Sequence, residues 1–263
     1  MKIKRAFYSR CKWFFEQFQI YSVSKIRKFL SHGKKYDFTY VIGDVHGEFN
    51  TLIRLVSLIP NGSQVIFVGD LVNRGKKSSQ VIRFIRENGF RSVLGNHDEL
   101  IKELGEHIKQ FGYKSAKQRY FSFLQRGGFR TLASYGICKK NGDELKNKEY
   151  LDEFYDDIEW IGSLPTYIEL DIYKNNLPVV VSHAPIGDMW ERRDDTQYIK
   201  EMALWNRQNP SKATEIFNVF GHTPQKDVFV SDTFANVDTG CCYGRKLSAY
   251  CVETGKVISV SRA

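Results

Sequence analysis

Five short apolar runs in this chain each stop at a glycine or serine followed by a side chain that can bind metal, and no other feature restricts the fold as tightly. Tyr40-Val41-Ile42 runs into Gly43-Asp44-Val45-His46-Gly47, and Val65 to Val68 into Gly69-Asp70. Ser92-Val93-Leu94 precedes Gly95-Asn96-His97-Asp98, Val179-Val180-Val181 precedes Ser182-His183-Ala184, and Phe217 to Phe220 precedes Gly221-His222-Thr223. Short β-branched or aromatic runs closed by glycine are expected to be buried strands. In open α/β sheets the ligand crevice lies just beyond the carboxyl ends of such strands. One ligand-type residue after one strand is a coincidence. Five of them outline a site.

Histidine placement sharpens this. Of six histidines, His46, His97, His183 and His222 sit at those strand ends, and only His32 and His107 fall elsewhere. Any one motif, taken alone, is as readily a satisfied core or turn residue. Jointly, carboxylate, imidazole and carboxamide are the groups that hold hard or borderline divalent metals. No cysteine is among them, which argues against a structural zinc site.

The pattern between the runs is helical. Leu52, Leu55, Val56 and Ile59 fall at helical spacing and end at Pro60-Asn61-Gly62, and Val81, Ile82 and Ile85 repeat the spacing before Asn88-Gly89. This β-α-β-α-β order predicts a parallel sheet with right-handed crossovers. Residues 99–135 are expected to be mainly helical with a break at Gly127-Gly128, 139–149 a polar surface loop, and Tyr150 to Ile161 a short helix. The C-terminal part reads as strands and turns: Ala235 to Asp238, Leu247 to Val252, a turn at 253–256, then Val257 to Val260.

With 263 residues, the chain suits one domain of about 200–250 residues plus an extension. Its 42% hydrophobic and 14% aromatic content exclude global disorder. No run approaches the roughly 20 apolar residues of a membrane span, and the basic, aromatic start is not a secretory signal. Five cysteines without a disulfide framework fit a reducing cytoplasm, with adjacent Cys241 and Cys242 read as small buried thiols.

Net charge divides the chain. The total is +9, yet residues 1–36 hold ten Lys or Arg and one acid, Glu16, so residues 37–263 balance at 29 basic and 29 acidic. We therefore expect a basic aromatic extension over 1–36 and a catalytic domain over 37–263. Phe7, Cys11, Phe14, Phe15 and Phe18 recur at helical spacing among Lys4, Arg5, Arg10 and Lys12. Such a helix suits the headgroup boundary of an anionic membrane, so peripheral contact with the inner membrane surface is an expectation. Packing of the same aromatics on the domain competes with it, as does a transit peptide. A neutral core gives no track for a nucleic-acid backbone, so no sequence-specific nucleic acid is expected.

In order and spacing, the five motifs together with Leu71-Val72-Asn73-Arg74-Gly75 resemble the calcineurin-like metallophosphoesterases, and most of all the small bacterial and phage members of the phosphoprotein phosphatase branch. The resemblance spans about Asp37 to the C-terminus. It implies an α/β fold with two central sheets packed as a sandwich flanked by helices. It further implies that Asp44 and His46 bind one metal, Asp70 bridges two, and Asn96, His183 and His222 complete the second. Two such ions lower the pKa of a bridging water and clamp the oxygens of an in-line displacement. The branch works with Mn²⁺ or an Fe/Zn pair, and Mn²⁺ is the ion expected here. Arg74 matches the family's phosphate clamp, and Arg207, in Leu204-Trp205-Asn206-Arg207, resembles the second clamp, a bidentate role that suits Arg better than Lys. His97 corresponds to the general acid.

Three departures bear on substrate. Asn73 stands where the pattern has Asp, Asp98 where it has Glu, and Lys76-Lys77 follow Gly75 where Pro is usual. Asn73 can accept a hydrogen bond from His97 but brings no charge to stabilise imidazolium. These departures, with Asp238-Thr239-Gly240-Cys241-Cys242-Tyr243-Gly244, resemble the symmetrical dinucleoside tetraphosphatases instead. Gly221-His222-Thr223-Pro224 and the Arg207 motif favour the protein phosphatases. We therefore expect hydrolysis of phosphoserine- or phosphothreonine-type monoesters by a monomer, with dinucleoside polyphosphates as the alternative. A non-catalytic binding protein on the same scaffold is disfavoured by intact Asp70 and Arg74.

Overall fold

The computed structural model describes residues 36–139, 141–145, 149–211 and 213–263. All but the last residue of the expected extension, and the membrane contact expected of it, lie outside the described residues. Among those described, no helix is long and apolar enough to cross a membrane.

Period-two burial separates the two faces of the first sheet. In β1 (Thr39–Ile42), Tyr40 and Ile42 face one core and Val41 another; in β2 (Gln64–Phe67), Val65 and Phe67 join the first and Ile66 the second. β1 pairs in parallel with β2, and β2 with β3 (Arg91–Ser92). α1 (Phe49–Val56) and α2 (Ser78–Glu87) return the chain and bury Leu52, Leu55, Val81 and Ile85 on the outer face. The expected β-α-β-α-β unit is thus present, although the third strand is shorter than Ser92 to Leu94 predicts. Leu94 turns away from β2 and donates its N–H to Pro165 O (2.9 Å), which ties the segment to the other half of the fold.

The runs ending at His183 and His222 belong to a second sheet. Its strands are β4 (Tyr167–Lys174), β5 (Leu177–Ser182), β6 (Phe217–Phe220), β7 (Phe229–Val230) and β8 (Phe234–Asn236), in the order β4-β5-β6-β8-β7. The first sheet is completed by β9 (Lys246–Cys251) and β10 (Val257–Ser261), in the order β10-β9-β1-β2-β3. β9 runs antiparallel to β1, so this sheet is mixed rather than wholly parallel. Between the sheets lie Val41, Ile66, Val68, Val179, Val181, Phe217, Val219 and Tyr250, all fully buried. Each of the aliphatic and phenylalanine side chains contributes about 1.5–3 kcal/mol of apolar burial.

Helices close both outer faces. α3 (Asn96–Arg119), α4 (Phe121–Phe123), a π-type turn at Leu124–Gly128, α5 (Phe129–Ser134) and α6 (Glu149–Gly162) cover the first sheet. α7 (Thr196–Trp205), with Trp190, Ile199 and Ala203, covers the second. The break expected at Gly127-Gly128 is the π-type turn. A second interruption, at Gly112 (φ 79), divides α3.

Candidate metal centre

Five side chains at the strand ends sit on left-handed backbone: His46 (φ 47), Asp70 (φ 49), Asn73 (φ 75), Arg74 (φ 62) and His222 (φ 68). Non-glycine residues adopt this region at a cost of order 1–3 kcal/mol, and such strain collects where geometry serves function. Hydrogen bonds hold the turns together. His46 N–H donates to Asp70 O (2.8 Å), Gly75 N–H to His46 O (2.8 Å), and Asn73 N–H to Thr131 Oγ1 (3.0 Å). Gly95 is required by contact, because a Cβ there would collide with the backbone nitrogen of Asp70.

The expected ligand residues converge from both sheets. His46 Nδ1 donates to Val72 O (2.8 Å), which leaves Nε2 without a proton, 3.3 Å from Asp70 Oδ2 and 3.9 Å from Asp44 Oδ2. His183 Nδ1 donates to Val68 O (2.9 Å), so its Nε2 is likewise bare. That atom lies 2.9 Å from Asn96 Oδ1, 3.0 Å from His222 Nδ1 and 3.6 Å from Asp70 Oδ1. Lone pairs aimed at one another repel unless a cation stands among them. The donor set of carboxylate, imidazole and amide oxygen fits hard or borderline divalent ions, and each imidazole is oriented by a backbone carbonyl in the way metal-bound histidines are. Asp70 faces both groups, as a bridging ligand must.

Electrostatics agree. Burial pushes the His46 and His222 imidazoles down to about 3 and lowers His183, so all three are neutral and able to ligate. Burial, then the neighbouring Asp238 and Asp70, raises Asp44 well above the carboxylate range. Burial also raises Asp70, but positive charge on the His183, His97 or His46 ring, when present, and the backbone N–H that His97 donates to Oδ1 (2.9 Å) hold that carboxyl low. Crowded carboxyls of this kind are what a bound cation relieves.

Two residues fill parts of the site that the motifs did not assign. Asp238, after β8, is 3% exposed, and burial followed by Asp70 pushes it up to about 7. It ends a sixth strand run, Ala235-Asn236-Val237 in the sequence, and that signal was available there. Asp98 is fully buried; its carboxylate accepts the N–H groups of Leu71 (3.0 Å), Val72 (3.3 Å) and Gly95 (3.1 Å), and burial pushes it up to about 7. The shorter acid therefore splices the Asp70 loop to the start of α3.

Beside the ligand groups stand the expected acid and clamps. His97 Nε2 lies 3.4 Å from Arg74 Nη2, and Nδ1 lies 2.7 Å from the Asn73 amide. Asn73 Oδ1 is buried without a partner. Exchanging the two amide atoms gives that oxygen the Nδ1–H of His97, and we assign the amide so. The π-type turn presses on this pair: a Cβ on Gly127 (φ 128) would meet Arg74 N at 2.5 Å and, at 2.8 Å, the Asn73 amide atom turned away from His97. Arg207 is exposed beside the His222 turn, with Nη1 3.5 Å from Thr223 Oγ1.

Comparison with known proteins places this geometry in context. Bis(5'-nucleosyl)-tetraphosphatase PrpE [asymmetrical] of Oceanobacillus iheyensis is 27% identical over 252 residues, covering 84% of this chain and 91% of the relative. The symmetrical bis(5'-nucleosyl)-tetraphosphatase of Buchnera aphidicola is 28% identical over 271 residues, covering 83% and 96%. A crystal structure of a candidate diadenosine tetraphosphatase superposes with a TM-score of 0.57 at 24% identity, over 86% of this chain and 94% of that one. The profile described as calcineurin-like phosphoesterase matches residues 39–226, and on that match the chain belongs to the calcineurin-like phosphoesterase family.

Proposed function

We propose that this metal-dependent phosphoesterase hydrolyses dinucleoside polyphosphates. The observation that carries the reading is the similarity, over more than four fifths of the chain, to bis(5'-nucleosyl)-tetraphosphatases of both cleavage types. It displaces the phosphoserine- or phosphothreonine-type reading expected from the short Arg207 and His222 motifs. Charge supports the change. A monoester puts one phosphoryl group on Arg74, whereas the adjoining segments also carry Lys76, Lys77, Arg245 and, at the start of α5, Arg130. Lys77 Nζ reaches Asn50 Oδ1 (2.9 Å) and Arg130 Nη1 reaches Arg74 O (2.6 Å), which holds these cations at the rim. A tetraphosphate bridge can engage several of them.

In this reading Asp44, His46, Asp70, Asn96, His183 and His222 hold two divalent ions, with Mn²⁺ the ion of choice. Such ions supply acidified water as nucleophile and neutralise charge on phosphate oxygens. Arg74 and Arg207 orient the phosphate through paired N–H donors. His97 holds a proton at Nε2 for the departing phosphate oxygen, and Asn73 fixes its ring. Residues 37–263 form the catalytic domain.

The test is full-length protein supplied with Mn²⁺ and given diadenosine tetraphosphate, a phosphoserine peptide and p-nitrophenyl phosphate. The dinucleotide should show the highest kcat/KM, and its products, two ADP or ATP with AMP, will identify the bond cleaved. A higher kcat/KM for the peptide overturns the reading.

A further inference from the structure

Tyr243 ends a short 3-10 turn, Cys241–Tyr243, flanked by Gly240 (φ 71) and Gly244 (φ 86) on left-handed backbone. The turn is firmly seated. Cys241 is 1% exposed within the core beneath the first sheet, Gly244 N–H donates to Cys241 O (3.0 Å), and Arg245 N–H donates to Gly240 O (3.3 Å). Its last side chain nevertheless points outward. Tyr243 is 56% exposed, and the Arg74 guanidinium carbon sits 4.8 Å from its ring centroid. A large aromatic ring is thus displayed on a fixed backbone, one face against the phosphate clamp and the rest open to solvent.

We propose that Tyr243 is a stacking platform for the base of a nucleotide whose phosphate Arg74 holds. The substrate class is then a nucleobase-bearing phosphate ester, and the inference deepens the dinucleoside polyphosphate reading on which it rests. Every base offers a π-face, so an exposed ring binds it without reading its edges. A tyrosine on a rigid turn has only two side-chain torsions to immobilise, so ordering it costs little. Arg74 keeps one face of the ring occupied and holds the ring in register with the phosphate. A phosphoserine or phosphothreonine substrate has no planar group that would use this surface.

The decisive measurement is calorimetric binding of AMP and of ribose 5-phosphate, which lacks the base, to full-length protein with Mn²⁺ present. Wild type should bind AMP more tightly than ribose 5-phosphate. Tyr243→Ala should weaken AMP by about five- to 150-fold, the range for one base–aromatic stack, and shift ribose 5-phosphate far less. Tyr243→Phe should retain the AMP affinity. Equal losses for both ligands would show that Tyr243 only props Arg74, and would overturn the proposal. So would an unchanged AMP affinity in Tyr243→Ala, or a wild type that binds AMP no better than ribose 5-phosphate, including no measurable binding of either. Failure to hydrolyse diadenosine tetraphosphate alongside a Tyr243-dependent preference for AMP would remove the dinucleotide reading and leave the platform standing.

Discussion

The Asn73 side-chain amide lies 2.7 Å from Nδ1 of His97, in the position where a carboxylate would supply both a hydrogen bond and a charge. Burial lowers the His97 pKa; Asp70 opposes this, and Arg74 and His183 add to the lowering. A general acid works below its pKa, so the alkaline limb of the rate profile should lie at low pH. Asn73→Asp places a negative charge against imidazolium and should move that limb upward by about one unit or more. The check is kcat against pH with diadenosine tetraphosphate. The profile with p-nitrophenyl phosphate should respond less, because its leaving group barely needs a proton.

Asp70→Asn should abolish most activity. Losing a group that orients a ligand already costs about 10–100-fold, and this change removes an anion facing both ligand clusters. Turnover should fall by more than about a hundredfold, and bound metal per chain should fall with it. An Asp70→Asn enzyme with near wild-type turnover would dismiss the two-ion assignment.

Removing metal should also destabilise the fold. Asp44, Asp70 and Asp238 crowd one another, so chelation leaves neighbouring carboxyls without a counter-charge. Adding Mn²⁺ at about 100 times its Kd should stabilise the protein by about 2.7 kcal/mol, read as a concentration-dependent rise in Tm.

Gly127→Ala should impair catalysis more than folding. Its φ of 128 suits glycine, and the new Cβ would meet Arg74 N at 2.5 Å and displace the turn that carries Arg74. We expect a tenfold or greater loss of kcat/KM, with about 1–3 kcal/mol lost from stability by denaturant titration.

Away from the site, Tyr135 donates its hydroxyl to Asp157 Oδ2 (2.7 Å), and burial, followed by Asp157, raises its pKa well above 10.0. The folded state therefore keeps this proton where the unfolded state releases it. This group's stabilising contribution is complete below pH 10 and declines above it, by up to about 1.4 kcal/mol per unit. Tyr135→Phe should lose about 1–3 kcal/mol at neutral pH and show a flatter decline above pH 10. Tyr113 and Tyr250, also raised by burial, will retain a residual slope.

The sequence is most legible where chemistry restricts residue choice. The six expected ligand residues and the Asn73–Arg74–His97 group follow apolar runs because strands must be buried and ligands must emerge at their ends, and the fold brings them together. Other features have weaker local signals. Nothing in the five runs divides them between two sheets; that division follows from β9 pairing with β1 about 200 residues away in the chain. β4 was not assigned, since its alternation of buried Ile168 and Leu170 with exposed neighbours is diluted by polar residues at its far end. Asp238 has Gly240 two residues on, but no histidine stands beside it to mark it as a site residue. The sequence left the substrate divided between two readings, of which the relatives favour the second, because four-residue motifs such as Leu204 to Arg207 constrain a phosphate contact but not what lies beyond the phosphate.

The division of the ligand groups between two sheets also sets an order of events in biosynthesis. His222 donates its backbone N–H to Asp44 Oδ1 (3.2 Å), a contact between residues 178 apart. At about 5–20 residues per second, roughly 9–36 seconds of translation separate the two. Until His183 emerges, 139 residues after Asp44, the chain holds Asp44, His46, Asp70 and Asn96 with no partner from the second sheet, and His222 follows 39 residues later. On the proposed ligand assignment, a complete donor set requires that translation has passed His222 and that the sandwich has closed, so retention of metal would distinguish closed molecules from ones arrested before that point.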